Sequence, residues 1–195
     1  RRFRALAYCD PLTGLRNRRY LEQRLHEEIG RSRRISDACF SLLMIDVDDF
    51  KQINDLLGHT EGDRALQWVA RLLEDTLREH DICCRLGGDE FAVLLPETDE
   101  EGAALLVERL RHELARANSE RVLQVHLSFG AATWPVEGTS AETMMRAADR
   151  DMYRDKGAHK QEFITHPSLR AAEDTLGWYG PATGTPAAPH PTEQR

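Results

Sequence analysis

Ile82-Cys83-Cys84-Arg85-Leu86, then Gly87-Gly88-Asp89-Glu90, then Phe91-Ala92-Val93-Leu94-Leu95, is the stretch that decides the fold. Two apolar segments of strand length flank a diglycine, which is the pattern of a β-hairpin with a Gly-Gly turn. Upstream, Cys39 to Ile45 is a continuous apolar run, short enough for a buried strand, and it stops abruptly at Asp46-Val47-Asp48-Asp49. After Gly62 the period changes: Leu66, Val69, Ala70, Leu73 and Leu77 form one face of a helix expected to begin near Asp63. Downstream, Thr98-Asp99-Glu100-Glu101 reads as a capping box for a helix whose face is Ala103, Leu106, Val107, Leu110 and Leu114. Val122 to Trp134 reads as strand, and Thr139-Ser140-Ala141-Glu142 caps a last helix with Met144, Met145, Ala148 and Met152. Near the start, Asp10-Pro11-Leu12-Thr13-Gly14 is a turn, followed by a helix with Tyr20, Leu21, Leu25 and Ile29 at helical spacing. Helices alternate with strands but a hairpin sits among them, so the expected fold is an α+β sandwich around a mixed sheet.

The 195 residues are 41% hydrophobic and 30% charged, the composition of an ordinary globular domain with room for extensions. No apolar run approaches the roughly 20 residues that span a bilayer, so no membrane contact is expected. The net charge of −7 argues against a nucleic-acid binder, which usually carries a basic face. Cys9, Cys39, Cys83 and Cys84 show no C-x-x-C spacing and read as reduced thiols, which points to the cytoplasm. The eight histidines lack zinc-ligand spacing. Residues 1–9 begin without Met and without an apolar signal core, and are expected to be the end of a helix entering from a missing regulatory region. Residues 10–165 form the expected folded domain. From about His166 onward, five of the eight prolines fall in a segment without helical period, and residues 166–195 are expected to be a flexible tail.

Two acidic clusters interrupt apolar strands: Asp46 and Asp48 at the end of the first, Asp89 and Glu90 in the hairpin turn. A carboxylate at the end of a buried strand is costly unless it is paired or bound to a cation. If strand and hairpin are neighbours, Asp46 and Asp89 face each other, and such hard oxygen donors suit Mg²⁺ together with substrate phosphates. Gly87 and Gly88 would let a base or phosphate approach the backbone. An EF-hand does not fit, because Phe50 and Lys51 stand where an oxygen ligand and Gly are required. Each acidic feature alone is also common in purely structural roles. Spacing therefore reaches a metal-dependent nucleotide site and stops short of a reaction.

Arg85-Leu86-Gly87-Gly88-Asp89-Glu90-Phe91 resembles the signature of the GGDEF family of diguanylate cyclase catalytic domains. Four further segments match in order: Asp10 to Arg19; Asp46 to Asp55; Gly58-His59-Thr60-Glu61-Gly62-Asp63; and Ala148-Asp149 through Met152-Tyr153 to Lys156. The resemblance spans about residues 5 to 162. It implies a palm-like nucleotidyl-cyclase sandwich: a central, mostly antiparallel five-stranded sheet flanked by helices, with the signature on a hairpin. The implied reaction condenses two GTP into cyclic di-GMP with release of pyrophosphate, in two copies that face each other.

Carried over, Asp46, the Val47 carbonyl, Asp89 and Glu90 resemble the ligands of Mg²⁺ (or Mn²⁺), two ions per site. Asp89 and Glu90 also resemble the groups that handle the attacking hydroxyl, and Lys51, after Phe50, the phosphate-neutralising lysine. Asn54 and Asp63 resemble guanine readers, with His59 lining the same pocket; Asp63 reads equally as a helix N-cap. Lys156 resembles a triphosphate contact, whereas Lys160 stands where an arginine is expected and cannot give bidentate contacts. Arg78-Glu79-His80-Asp81 has the register of an R-x-x-D inhibitory product site, with Arg109 contributing from the next helix. Two other readings stay open: a silent module that senses cyclic di-GMP or GTP, and a transferase for another nucleotide. Asp46, Lys51, Asp63, Asp89 and Glu90 count against the first, Asn54 and Asp63 against the second.

Overall fold

The computed structural model describes residues 7–119, 121 and 123–163, with side chains given through residue 158. In chain order the elements are β1 (Arg16–Asn17), α1 (Arg18–Ser32), β2 (Phe40–Val47), α2 (Phe50–Leu57), α3 (His59–Thr76), β3 (Ile82–Gly87), β4 (Glu90–Pro96), α4 (Glu100–Asn118), β5 (Leu127–Trp134) and α5 (Ala141–Phe163). They build one five-stranded sheet in the order β1-β3-β4-β2-β5. β1 runs parallel to β3, and every other pairing is antiparallel. The α+β expectation holds, with helices on both faces.

β2 explains itself. All eight of its residues are buried, because its two sides feed two separate cores. Leu43, Ile45 and Val47 join Leu66, Val69 and Leu73 of α3 and Leu106 and Leu110 of α4. Phe40, Leu42 and Met44 join Leu21 and Leu25 of α1 and Met144, Ala148 and Met152 of α5. A strand covered on both faces has no reason to alternate, hence the unbroken apolar run. Removing one of its large side chains, such as Phe40, costs about 3–5 kcal/mol.

Four local expectations need correction. The helix expected near Asp63 starts at His59, and a short helix, α2, precedes it. The break lies at Gly58, whose φ of 83° is left-handed, so Asp63 sits inside α3 and caps nothing. The cap of α4 is Asp99, whose carboxylate accepts from the Gly102 amide at 2.9 Å, while the Thr98 hydroxyl donates to the Pro96 carbonyl. The last strand begins at Leu127, later than expected. Ahead of it the Asn118 side chain pairs with both backbone groups of Val125, at 2.7 and 3.1 Å, and takes the place of a strand neighbour. Finally, the hairpin strands run further than expected, leaving Gly88 and Asp89 as the turn. The segments expected as an entering helix and as a tail lie outside the described residues, except for Ala7 to Cys9.

β5 is an outer strand, and its outward amides are capped by acids. Phe129 donates to Asp155 at 2.8 Å, Ala131 to Asp151 at 3.0 Å and Thr133 to Glu137 at 2.7 Å. Arg111 donates to both Asp155 oxygens at 2.7 Å and lies 5.0 Å from the Phe129 ring centroid. Charged acceptors of this kind blunt an edge that would otherwise pair with another strand. Asp151→Ala should speed amide exchange at Ala131 well beyond its β5 neighbours and lower stability by about 1 kcal/mol; exchange-resolved NMR reads both.

Candidate active site

The site lies where β2 and β4 run out side by side. Asp46 and Glu90 are direct partners in the antiparallel register. One residue on, the Val47 amide donates to the Asp89 carbonyl at 3.1 Å, so the diglycine turn is tied to the end of β2 by a backbone bond. The turn needs left-handed backbone at Gly87 (φ 140°) and Gly88 (φ 56°), which glycine supplies without strain. Asp46, Val47, Asp89 and Glu90 are thereby gathered as the sequence implied.

The cluster is short of positive charge. Burial pushes the Asp46 carboxyl above the usual range, and Asp89 and Asp48 push it further, against the opposing pull of Lys156. Burial likewise raises Glu90, opposed by Arg18 and reinforced by Asp46, Asp89 and Asp149. Lys156 reaches from α5 to donate to Asp46 Oδ1. Burial alone would lower its pKa, but the bond to Asp46 and the attraction of Asp48 and Asp89 raise it. Arg18, at the start of α1, approaches Glu90 at 3.4 Å and the Leu86 carbonyl at 3.4 Å. Asp48 accepts from the Ser128 hydroxyl of β5 at 2.7 Å.

A divalent cation fits this donor set. Among the described residues no three acidic, His or Cys side chains form a metal cluster by themselves. Mg²⁺ does not need one, since it commonly takes one or two carboxylates and completes its shell with water and substrate phosphates. Like charges held together, with only part of their repulsion relieved by Lys156 and Arg18, are what such an ion neutralises.

The other implied residues fall into two groups. Phe50 and Asn54 sit on α2, His59 and Asp63 on α3, and the two helices fold back on each other at Gly58. Asn54 is half-buried, whereas Asp63, His59 and Lys51 are exposed. Lys160 continues α5, and its side chain lies outside the described residues. On another surface, Arg78, Asp81 and Arg109 line one cavity of about 410 Å³, walled by Leu95, Leu105 and Leu106. The Asp81 carboxylate accepts from the Arg78 amide at 2.9 Å, and Arg109 donates to the Thr76 carbonyl at 2.8 Å.

Sequence reasoning gave no role to Arg85 or Asp10, although both stand in the matched segments. Arg85 donates to the Gly88 carbonyl at 3.1 and 2.7 Å and to Asp10 Oδ1 at 3.0 Å. Asp10 also accepts from the Thr13 amide at 2.9 Å and hydroxyl at 2.7 Å. One guanidinium thus fastens the diglycine turn to the Asp10–Gly14 loop. Arg18, Ser128 and Asp149 are further neighbours of the cluster that spacing did not single out.

The site is thus built on a palm-like mixed sheet in which the carboxylates of Asp46 and Glu90 meet across adjacent strands. The model of the family described as "Diguanylate cyclase, GGDEF domain" matches residues 7–162, and the chain belongs to that family. It is 40% identical over 159 residues to the diguanylate cyclase DgcP of Pseudomonas aeruginosa, an alignment that covers 80% of this chain and 23% of DgcP. Among solved structures it resembles the diguanylate cyclase SiaD of Pseudomonas aeruginosa, crystallised with its activator SiaC (TM-score 0.72, 40% identity, 80% of this chain and 61% of that one). It also resembles the coiled coil and GGDEF domain of DgcB from Caulobacter crescentus in complex with c-di-GMP (TM-score 0.72, 27% identity, 80% and 84%). The chain spans less than half the length of the curated relatives it matches.

The Asp10–Arg85 link carries a pH dependence. Burial works to raise the Asp10 carboxyl, but Thr13 and Arg85 outweigh it and hold it below its ordinary value of 3.8. A lowered carboxylate stabilises the fold above its unfolded pKa, and the contribution fades as pH falls through the native value. Asp10→Asn should therefore cost about 1 kcal/mol at neutral pH, discounted for solvent screening, with the difference from wild type shrinking in acid-unfolding curves as pH falls below 3.8 and through the lowered native value.

Proposed function

We propose that this domain is an active diguanylate cyclase that condenses two GTP into cyclic di-GMP and two pyrophosphates. In the balanced reaction each 3′-hydroxyl attacks the α-phosphorus of the other nucleotide. Two P–O bonds form, two α–β bonds break, and two protons leave. One copy holds one GTP, so two copies must face each other. The observation that carries the reading is the register pair Asp46–Glu90, with Asp89 tied to Val47 and Lys156 against Asp46.

In this reading Asp46, Asp89, Glu90 and the Val47 carbonyl hold Mg²⁺. Ions held there would supply the charge that lowers a hydroxyl's pKa and neutralises a transferring phosphoryl. Lys156 and Lys51 face the triphosphate. Asn54 and Asp63 read the guanine edge, with Asp63 drawn against the base on binding, and a mismatched base would leave those groups unpaired. Glu90 or Asp89 accepts the proton of the hydroxyl it adjoins. The cavity of Arg78, Asp81 and Arg109 takes the product, since a guanidinium clasps phosphate and stacks on guanine. The whole protein's partners and control belong to the same proposal.

Incubation with GTP and Mg²⁺ at high protein concentration should yield cyclic di-GMP and pyrophosphate by chromatography, with a specific rate that climbs steeply with concentration. Asp89→Asn should lower that rate by about 10²-fold or more. Failure of concentrated, dimerised protein to make product while still binding it would favour the silent sensor.

In the absence of nucleotide, Mg²⁺ at a hundredfold excess over its dissociation constant should raise unfolding free energy by about 2.7 kcal/mol. Thermal shift measures this, and Asp46→Ala should lose it. Arg78→Ala should move the inhibition curve to about tenfold higher product concentration, the loss of one charge-assisted contact.

A further inference from the structure

Gly62 lies buried within α3, with helical neighbours on both sides. It is not among the residues with positive φ, so its backbone conformation is open to any amino acid. Glycine inside a helix is unfavourable relative to alanine. Something other than backbone geometry therefore selects it.

The answer lies across the α2–α3 bend. A Cβ placed on Gly62 would fall 2.0 Å from Asn54 Oδ1, 3.0 Å from Asn54 Cγ and 3.2 Å from Phe50 Cζ. The Asn54 amide thus occupies the space that a methyl group would take, with the Phe50 ring on the other side. Each clashing atom at or below 3.0 Å belongs to the end of a movable side chain, and none to the backbone. Alanine at this site would leave both helices in place and evict only the amide.

We propose that Gly62 is a positioning residue for nucleobase recognition: its missing side chain is the seat of the Asn54 amide, and it sets where that amide meets guanine. This rests on the reading of Asn54 as a guanine reader. It accounts for a residue that the fold alone does not require, and it makes substrate selectivity depend on a position that has no side chain of its own.

Two consequences separate this role from a structural one. Gly62→Ala should leave the thermal midpoint unchanged or raise it, because helix propensity improves while the evicted group is polar and mobile. The same variant should raise KM for GTP about tenfold, leave kcat within about threefold, and shrink the preference for GTP over inosine triphosphate by about the same tenfold. A purely structural glycine would show the reverse: a lowered midpoint and an unchanged preference.

The decisive experiment is a double-mutant cycle on kcat/KM for both nucleotides, with Asn54→Ala, Gly62→Ala and the double variant. The double variant also protects against misfolding, since removing the Asn54 amide removes the clash. Gly62→Ala should cost nothing further in the Asn54→Ala background. An equal loss in both backgrounds, or a Gly62→Ala protein with wild-type preference, overturns the seat. If Asn54→Ala alone leaves GTP use unchanged, the guanine-reading role fails and the seat fails with it. If Asn54→Ala is costly and Gly62→Ala is not, only the seat fails.

Discussion

The structure turns on like charges held at the ends of two neighbouring strands. Backbone pairing sets Asp46 beside Glu90, and the Val47–Asp89 bond draws the turn onto the same edge. Burial and mutual repulsion push Asp46 and Glu90 toward protonation, and Lys156 and Arg18 oppose that only in part. The arrangement persists because β2 is buried along its whole length and fixed between two cores. Hydrophobic burial offsets an unfavourable charge distribution, and the unfavourable distribution is what gives the edge an appetite for cations.

The supports of this edge come from far apart in the chain. Lys156 arrives from α5, Arg18 from α1, and Arg85 binds the turn to the loop at Asp10. A displacement of either flanking helix therefore moves a charge within the cluster. The cavity at Arg78 and Asp81 lies on the segment that joins α3 to β3, and β3 leads directly into the diglycine turn. Cavity and cluster are thus linked by one short strand.

The hairpin, the buried strand and the amphipathic helices were legible because each expresses a period imposed by which faces are covered. The acidic edge was legible as two acidic interruptions of apolar runs. What misled lay at short range. Gly58 and Gly62 look alike as helix breakers, yet the first is a left-handed hinge and the second a packing contact inside a helix. Asp63 read equally as a helix cap, whereas it lies exposed one turn inside α3. Arg18, Arg85 and Asp10 act through contacts 72 and 75 residues distant in sequence, which no local pattern encodes.

The acid-capped outer strand has a consequence for how the domain meets its neighbours. With the amides of Phe129, Ala131 and Thr133 already engaged, the β5 edge of the sheet is closed to a passing chain. Encounters on that side are left to side chains on helices and loops, where contacts form and dissolve without threading backbone to backbone. A domain whose proposed chemistry needs two copies to come together and then part is thereby spared the most adhesive surface that a β-sheet can present.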